Sequence, residues 1–210
     1  MLGIFIPALR TTLVTCLLCG LAYPMAVTAI GQLLLPYQAN GSLVRGPDGT
    51  ILGSRLIGQN WTGPQWFHGR LSATTTNDPE DSTKTIAVPY NAAASAAFNL
   101  GPTSRALAER IINDRKAAEA QQPELGRELL PSDMLTASGS GLDPEISPAY
   151  AALQVPRIVA ARGLTRDQVS ALVTRHTKGR ALGIFGEPRV NVLELNLALE
   201  SMAPSPAKLP

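Results

Sequence analysis

No charged residue stands between Arg10 and Arg45, and this gap constrains the chain more than any other feature. Thr11 to Leu35 reads TTLVTCLLCGLAYPMAVTAIGQLLL, in which Gln32 is the most polar side chain. As a helix these 25 or so residues would be about 37 Å long, enough to cross a hydrocarbon core of about 30 Å with some tilt. Pro24 is tolerable there, because neighbours in a membrane re-satisfy the freed carbonyl, and Pro36 closes the run. The expected layout is a short tail at 1–10, a transmembrane helix at 11–36, a soluble domain at 37–203 and a loose tail at 204–210. Two rivals remain. Val27-Thr28-Ala29 has the small residues of a signal-peptide cleavage site, although the apolar run continues through Leu35. A lipoprotein reading of Cys16 or Cys19 is weaker, since Thr15 and Leu18 precede them where a small residue is usual.

The same gap explains the composition. Charged residues make up 16% of the chain, against about 25% in soluble domains, because the apolar run contributes none. Beyond it the bases and acids nearly balance, so nothing electrostatic points to nucleic acid as a partner. Both cysteines lie in the apolar run with no histidine or acid nearby, which disfavours redox or metal chemistry. Thr12, Thr15, Cys19, Ala22, Ala26 and Ala29 follow spacings of three and four, which puts small side chains on one stripe. In lipid such a stripe lets a second helix approach closely. Basic residues flank the run on both sides, so charge counting does not orient it.

Downstream, Gly46-Pro47-Asp48-Gly49 predicts a tight turn between short strands. The turn-rich stretch from Asn60 to Asn99 reads as irregular, its aromatics packing it onto the domain. Helices are expected from Ser104 to about Gln121, from Ser147 with a kink or restart at Pro156, and from Thr165, whose Thr-x-x-Gln is a capping box. On the first of these, Leu107, Ile111 and Ile112 face inward and Arg110 faces water. Asn191 to Leu199 is ambiguous: Asn191 with Glu194 suits a further capped helix, the favoured reading, but Val190, Val192, Leu195, Leu197 and Leu199 partly alternate as in a strand. The fold class is a compact α/β (α+β) soluble domain preceded by a single N-terminal transmembrane α-helix.

Signals for a catalyst are missing. No phosphate-cradling Gly-rich loop and no Asp-Lys-Thr-Gly phosphorylation sequence occur, and neither His68 nor His176 sits in a metal-binding helix pattern. Ser138 and Ser140 fail the G-x-S-x-G pattern, because position 138 is not glycine. The expected catalytic and metal residues are therefore none. One stretch, Ser138 to Pro148, is polar and leads into a helix start. Its backbone N–H groups could face an anion, or Asp143 could simply turn the chain while Ser147 caps the helix.

At this stretch a resemblance emerges. Ala137 to Ser147, ASGSGLDPEIS, stands with Gly53-Ser54-Arg55-Leu56-Ile57-Gly58-Gln59, Trp66-Phe67-His68-Gly69-Arg70, Asn99-Leu100-Gly101-Pro102-Thr103, Gln154-Val155-Pro156-Arg157 and Gly186 to Leu193. In this order the set resembles the KdpC family, the small subunits of bacterial Kdp potassium-transporting P-type ATPases, from the anchor to about Leu199. Leu71, Glu145 and Ala96-Ala97-Phe98 depart from the usual pattern. The resemblance implies a non-catalytic subunit in a complex with a channel-like potassium-selecting subunit, the P-type ATPase subunit and a small single-helix subunit. ATP and K+ would be handled by the complex, with no cofactor in this chain. It implies a single pass in the bacterial inner membrane, the N-terminus cytoplasmic and the C-terminal domain periplasmic. It also implies a role in ATP affinity for Gln154, and partner contacts through His68, Arg70, Ser138, Ser140, Asp143 and Glu145. The alternatives are an exported serine hydrolase, using Ser138 or Ser140 with a histidine, and a free periplasmic binding protein.

Overall fold

The computed structural model describes residues 2–127 and 129–202, so the expected tail at 204–210 lies outside the described residues. The chain divides into two compact units, one ending at Ser54 and the other beginning at Arg55.

In the first unit the apolar run is helical from its start: α1 covers Leu2–Leu17, a π-turn Leu18–Ala22 and α2 Tyr23–Leu34. The helix therefore begins near residue 2, not at Thr11 after a tail. Leu2, Ile4, Phe5, Ile6 and Leu9 extend the apolar run, and the one charge, Arg10, can reach an interface along its stem. Pro7 lies inside α1 and removes only one ladder bond. The π-turn directly precedes Pro24. Proline cannot donate to the Gly20 carbonyl and crowds it, and the Tyr23 N–H reaches back five residues to Leu18 O. This wide turn takes up about one extra residue, which rotates α2 by about 100° relative to a regular helix. The expected stripe is thus split into Thr12 and Thr15 before the wide turn and Ala26 and Ala29 after it, with Cys19 and Ala22 inside it.

A short helix α3 (Pro36–Ala39) comes next, then strands β1 (Leu43–Arg45) and β2 (Ile51–Ser54), paired antiparallel with a bulge at Val44/Arg45. Asp48 Oδ1 closes the expected turn, accepting from Thr50 N at 3.1 Å and Thr50 Oγ1 at 2.6 Å. Gly49 takes the left-handed conformation there, at φ +82°.

In the second unit an antiparallel pair, β3 (Thr75–Asn77) and β4 (Thr85–Ala87), interrupts the stretch expected to be irregular. Helix α4 (Arg105–Gln121) begins after Ser104, and the short α5 (Ser132–Leu135) lies beyond it. On α4 the inward face differs from the expected one. Ile112 is exposed, while Arg110 turns in, stacks over the Phe98 ring at 3.8 Å and pairs with Asp114 at 3.2 Å.

The core lies toward the C-terminus. Strands β5 (Glu145–Ile146), β6 (Thr177–Lys178) and β7 (Arg189–Asn191) form a small antiparallel sheet in the order β5-β7-β6. Helix α7 (Arg166–His176) packs on both α6 (Pro148–Arg162) and α8 (Val192–Met202). Ile146, Val155, Ile158, Val169, Leu172, Val190, Leu195 and Leu199 are buried among them.

The helix signals behave as read. Ser147 Oγ caps α6 by accepting Tyr150 N at 3.0 Å, and Thr165 with Gln168 forms the full capping box. Gly163 ends α6 in the left-handed region at φ +66°. Pro156 does not restart α6, which runs unbroken through it. Asn191 Oδ1 accepts Glu194 N at 3.0 Å to start α8, while its Nδ2 donates to Arg55 O at 2.9 Å.

Candidate functional site

The segment Trp66–Arg70 threads between α6 and α8, and two side-chain amides hold its backbone. Asn196, fully buried on α8, accepts Phe67 N and donates to Phe67 O, both at 2.9 Å. Gln154, on α6, does the same to the next residue, accepting His68 N at 2.7 Å and donating to His68 O at 3.1 Å. Each amide replaces a strand neighbour, so two consecutive peptides are satisfied from opposite helices. The sequence singled out Gln154 and passed over Asn196. The available signal was a polar residue on an apolar helical face, at the fourth position after Val192 and three before Leu199.

The rest of the segment is equally constrained. Phe67 is fully buried and Trp66 nearly so, with the Arg162 guanidinium 4.4 Å from the Trp66 ring. Tyr90 Oη donates to Arg70 O at 2.6 Å, and a Cβ at Gly69 would collide with that hydroxyl. His68 Nε2 lies 2.8 Å from Gly63 O, so it carries the proton and donates. Burial, with the nearby Arg157 charge, pushes the imidazole down to about 4. His68 is therefore neutral at pH 7.

Arg70 meets Asp143 at 3.0 Å and donates to Ala137 O at 3.2 Å, which ties the segment to the Ser138–Pro148 stretch. In that stretch the loop consumes its own donors. Ser138 Oγ accepts Ser140 N at 3.2 Å and Gly141 N at 3.1 Å, Ser140 Oγ accepts Leu142 N at 3.1 Å, and Asp143 Oδ1 accepts Glu145 N at 3.0 Å. Asp133 takes Ser147 N at 2.7 Å. Of the two readings of this stretch, the structure favours the chain-turning one, since these N–H groups face no open space. Gly141 is required, because at φ +70° a Cβ would meet Ala96 O at 2.7 Å. Glu145 stands apart, paired with Arg189 at 2.9 Å. The hydroxyls of Ser138 and Ser140 lie 3.1 Å from each other, and among the described residues neither bonds an imidazole.

A cavity of about 330 Å³ opens beside this segment, lined in part by Trp61, His68, Arg70, Tyr150, Gln154 and Arg157. The structure thus brings His68, Arg70 and Gln154 to one wall. Ser138, Ser140 and Asp143 buttress that region from behind Arg70. Thr12, Thr15, Cys19, Ala22, Ala26 and Ala29 belong to the other unit.

Among the described residues one helix, Gly3–Leu34, is long and apolar enough to cross a membrane, and with the α+β unit that follows it this gives the outline of a membrane-associated protein with one N-terminal helix. Comparison with known proteins identifies the family. The family model for the K+-transporting ATPase c chain, KdpC, matches residues 5–201, and the chain belongs to that family. A Potassium-transporting ATPase KdpC subunit of Rhodopseudomonas palustris (strain BisB5) is 54% identical over 195 residues, covering 93% of this chain and 95% of the relative. The subunit of the same name from a strain of Methylorubrum extorquens is 54% identical over 197 residues, 94% and 96% of the two chains.

Proposed function

We propose that this subunit is a non-catalytic accessory of an ATP-driven, high-affinity potassium uptake pump, supporting assembly and stability of the complex and, through it, ATP affinity or potassium entry. The observation that carries this reading is the helix Gly3–Leu34, 32 residues long with none of its apolar window buried by the chain itself. Such an element needs lipid and, along its small residues, a partner helix. The partners are the channel-like potassium-selecting subunit, the P-type ATPase subunit and the small single-helix subunit. The anchor crosses the bacterial inner membrane once, with the N-terminus cytoplasmic and the C-terminal domain periplasmic. Gln154 acts by positioning the Trp66–Arg70 segment and not by touching nucleotide, because its amide is spent on the His68 backbone.

The test is a mild-detergent co-purification on a C-terminal tag, with mass spectrometry of the bait. The full chain is expected to bring down the other subunits with its N-terminus intact, and a chain lacking 2–34 is expected to bring down none. Complex recovered on the anchorless chain would overturn the reading. So would a bait cleaved after Ala29, which is the prediction of a free binding protein. A C-terminal alkaline phosphatase fusion should be active, and inactivity would reverse the proposed orientation.

A further inference from the structure

The turn between β6 and β7 presents large apolar side chains that the chain itself leaves in water. Leu182, Ile184 and Phe185 are 88%, 72% and 64% exposed. Elsewhere in the second unit exposed large apolar residues, such as Leu56, Ile112 and Leu129, stand singly along the sequence, as they do on any protein surface. Three within four positions at one turn form a patch, and an exposed apolar patch marks an interaction surface. The turn is closed on itself. Ala181 and Phe185 exchange both backbone bonds, at 2.8 and 2.9 Å, while Gly183 N donates to Arg180 O at 3.2 Å and Ile184 N to Ala181 O at 3.1 Å. Below it, Arg180 Nη2 meets both Glu187 carboxylate oxygens, at 2.8 and 2.7 Å. Leu182 takes φ +53°, a conformation that costs a leucine energy, and no packing within the chain offsets that cost.

The chemistry of the tip and of its base selects the occupant. The N–H groups of Ala181, Gly183, Ile184 and Phe185 are all spent inside the turn, as entry into a phase without water requires. The base of the turn is basic. Lys178 and Arg189 face each other across β6 and β7, Arg180 follows β6, and Arg175 precedes it at the end of α7. Arg55 joins them by sharing Glu194 with Lys178. Against these five bases stand Glu145, Glu187 and Glu194, an excess of two positive charges (5 − 3), and among the described residues no carboxylate pairs with Arg175. An apolar tip above a basic collar is complementary to a bilayer surface bearing anionic headgroups. The same chain supplies the tether, since residues 35–54 alone separate α2 from the second unit, which keeps the effective concentration of bilayer high.

We propose, resting on the reading of Gly3–Leu34 as a membrane anchor, that the β6–β7 turn is a second membrane contact. Leu182, Ile184 and Phe185 enter the boundary between headgroups and acyl chains of an anionic bilayer, and the basic collar faces the lipid phosphates.

The test uses the full chain carrying Phe185→Trp, reconstituted in vesicles of phosphatidylethanolamine with phosphatidylglycerol. Trp61 and Trp66 are buried, and the wild type supplies their background emission. Lipids brominated near the top of the acyl chain should quench the added emission about twofold or more. Ile112→Trp, at an exposed position of α4, should show no such quenching. Adding Ile184→Asp to Phe185→Trp should remove the quenching, and replacing phosphatidylglycerol by phosphatidylcholine should weaken it. All these positions are exposed, so the variants keep the core intact. No quenching at position 185, equal quenching at position 112, or a response unchanged by Ile184→Asp or by the loss of phosphatidylglycerol each overturns the proposal. Flotation of the chain with the vesicles reports the anchor alone, so a failed anchor and a failed tip are told apart. On the co-purified complex, retained quenching supports the lipid contact, whereas quenching lost on assembly means that another subunit covers the tip and overturns it.

Discussion

At the scale of single residues, His68 shows how burial converts a titratable group into a pH-dependent element of stability. Its folded pKa of about 4 lies below the ordinary value of 6.5, so between these values the unfolded chain binds a proton that the folded chain refuses. The neutral imidazole therefore contributes stability fully above pH 6.5, and that contribution is lost as pH falls toward 4. The shift corresponds to about 3 kcal/mol at most. Urea unfolding followed by tryptophan fluorescence should show stability falling over this window. His68→Gln, which keeps an N–H for Gly63 O, should flatten the curve by about one proton. Parallel curves for the two proteins would refute the assignment. None of this was legible in sequence, where His68 stood as a partner-contact candidate and as a histidine outside any metal-binding helix pattern. Its low pKa comes first from burial and then from the charge of Arg157, 89 positions away along the chain.

At the scale of elements, the helices with chemical punctuation were readable and the weakly patterned pieces were not. Ser147-Pro148, Thr165 with Gln168, and Asn191 with Glu194 each mark a helix start through a local hydrogen bond, which sequence encodes directly. Strands β3 and β4 carry mostly exposed residues with no alternation to betray them. Arg110 was misplaced because its inward position depends on Phe98 and Asp114, a ring and a carboxylate that a helical pattern does not see.

The double clamp on Phe67 and His68 is likewise tertiary, and it supports a graded prediction for the two helices that make it. Asn196→Ala leaves the Phe67 N–H and C=O without partners in a fully dry setting and should cost about 3 kcal/mol. Gln154→Ala exposes the His68 groups to a cavity that can admit water, so about 1–2 kcal/mol is expected. Denaturant titration should rank the variants in that order. A larger loss for Gln154→Ala would mean that its role is not confined to the clamp.

At the scale of the whole molecule, the membrane helix is where sequence pattern and structure part most instructively. The spacing of Thr12 to Ala29 describes one stripe only if every turn has the same pitch, and the π-turn before Pro24 breaks that condition. Ala26 and Ala29 remain on one face of α2, whereas Thr15 spends its hydroxyl on the Thr11 and Thr12 carbonyls of its own helix. The alanine half is thus the closer candidate for contact with another helix, because packing in lipid rewards small side chains that let backbones approach. Ala26→Leu should leave membrane insertion intact and lower recovery of the other subunits in mild detergent by roughly tenfold, equivalent to about 1.4 kcal/mol. Val27→Leu, about 100° around the helix, should leave recovery unchanged. Equal yields from Ala26→Leu and wild type would remove the alanine face from the interface. A loss confined instead to Thr12→Leu would move the contact to the segment before the π-turn.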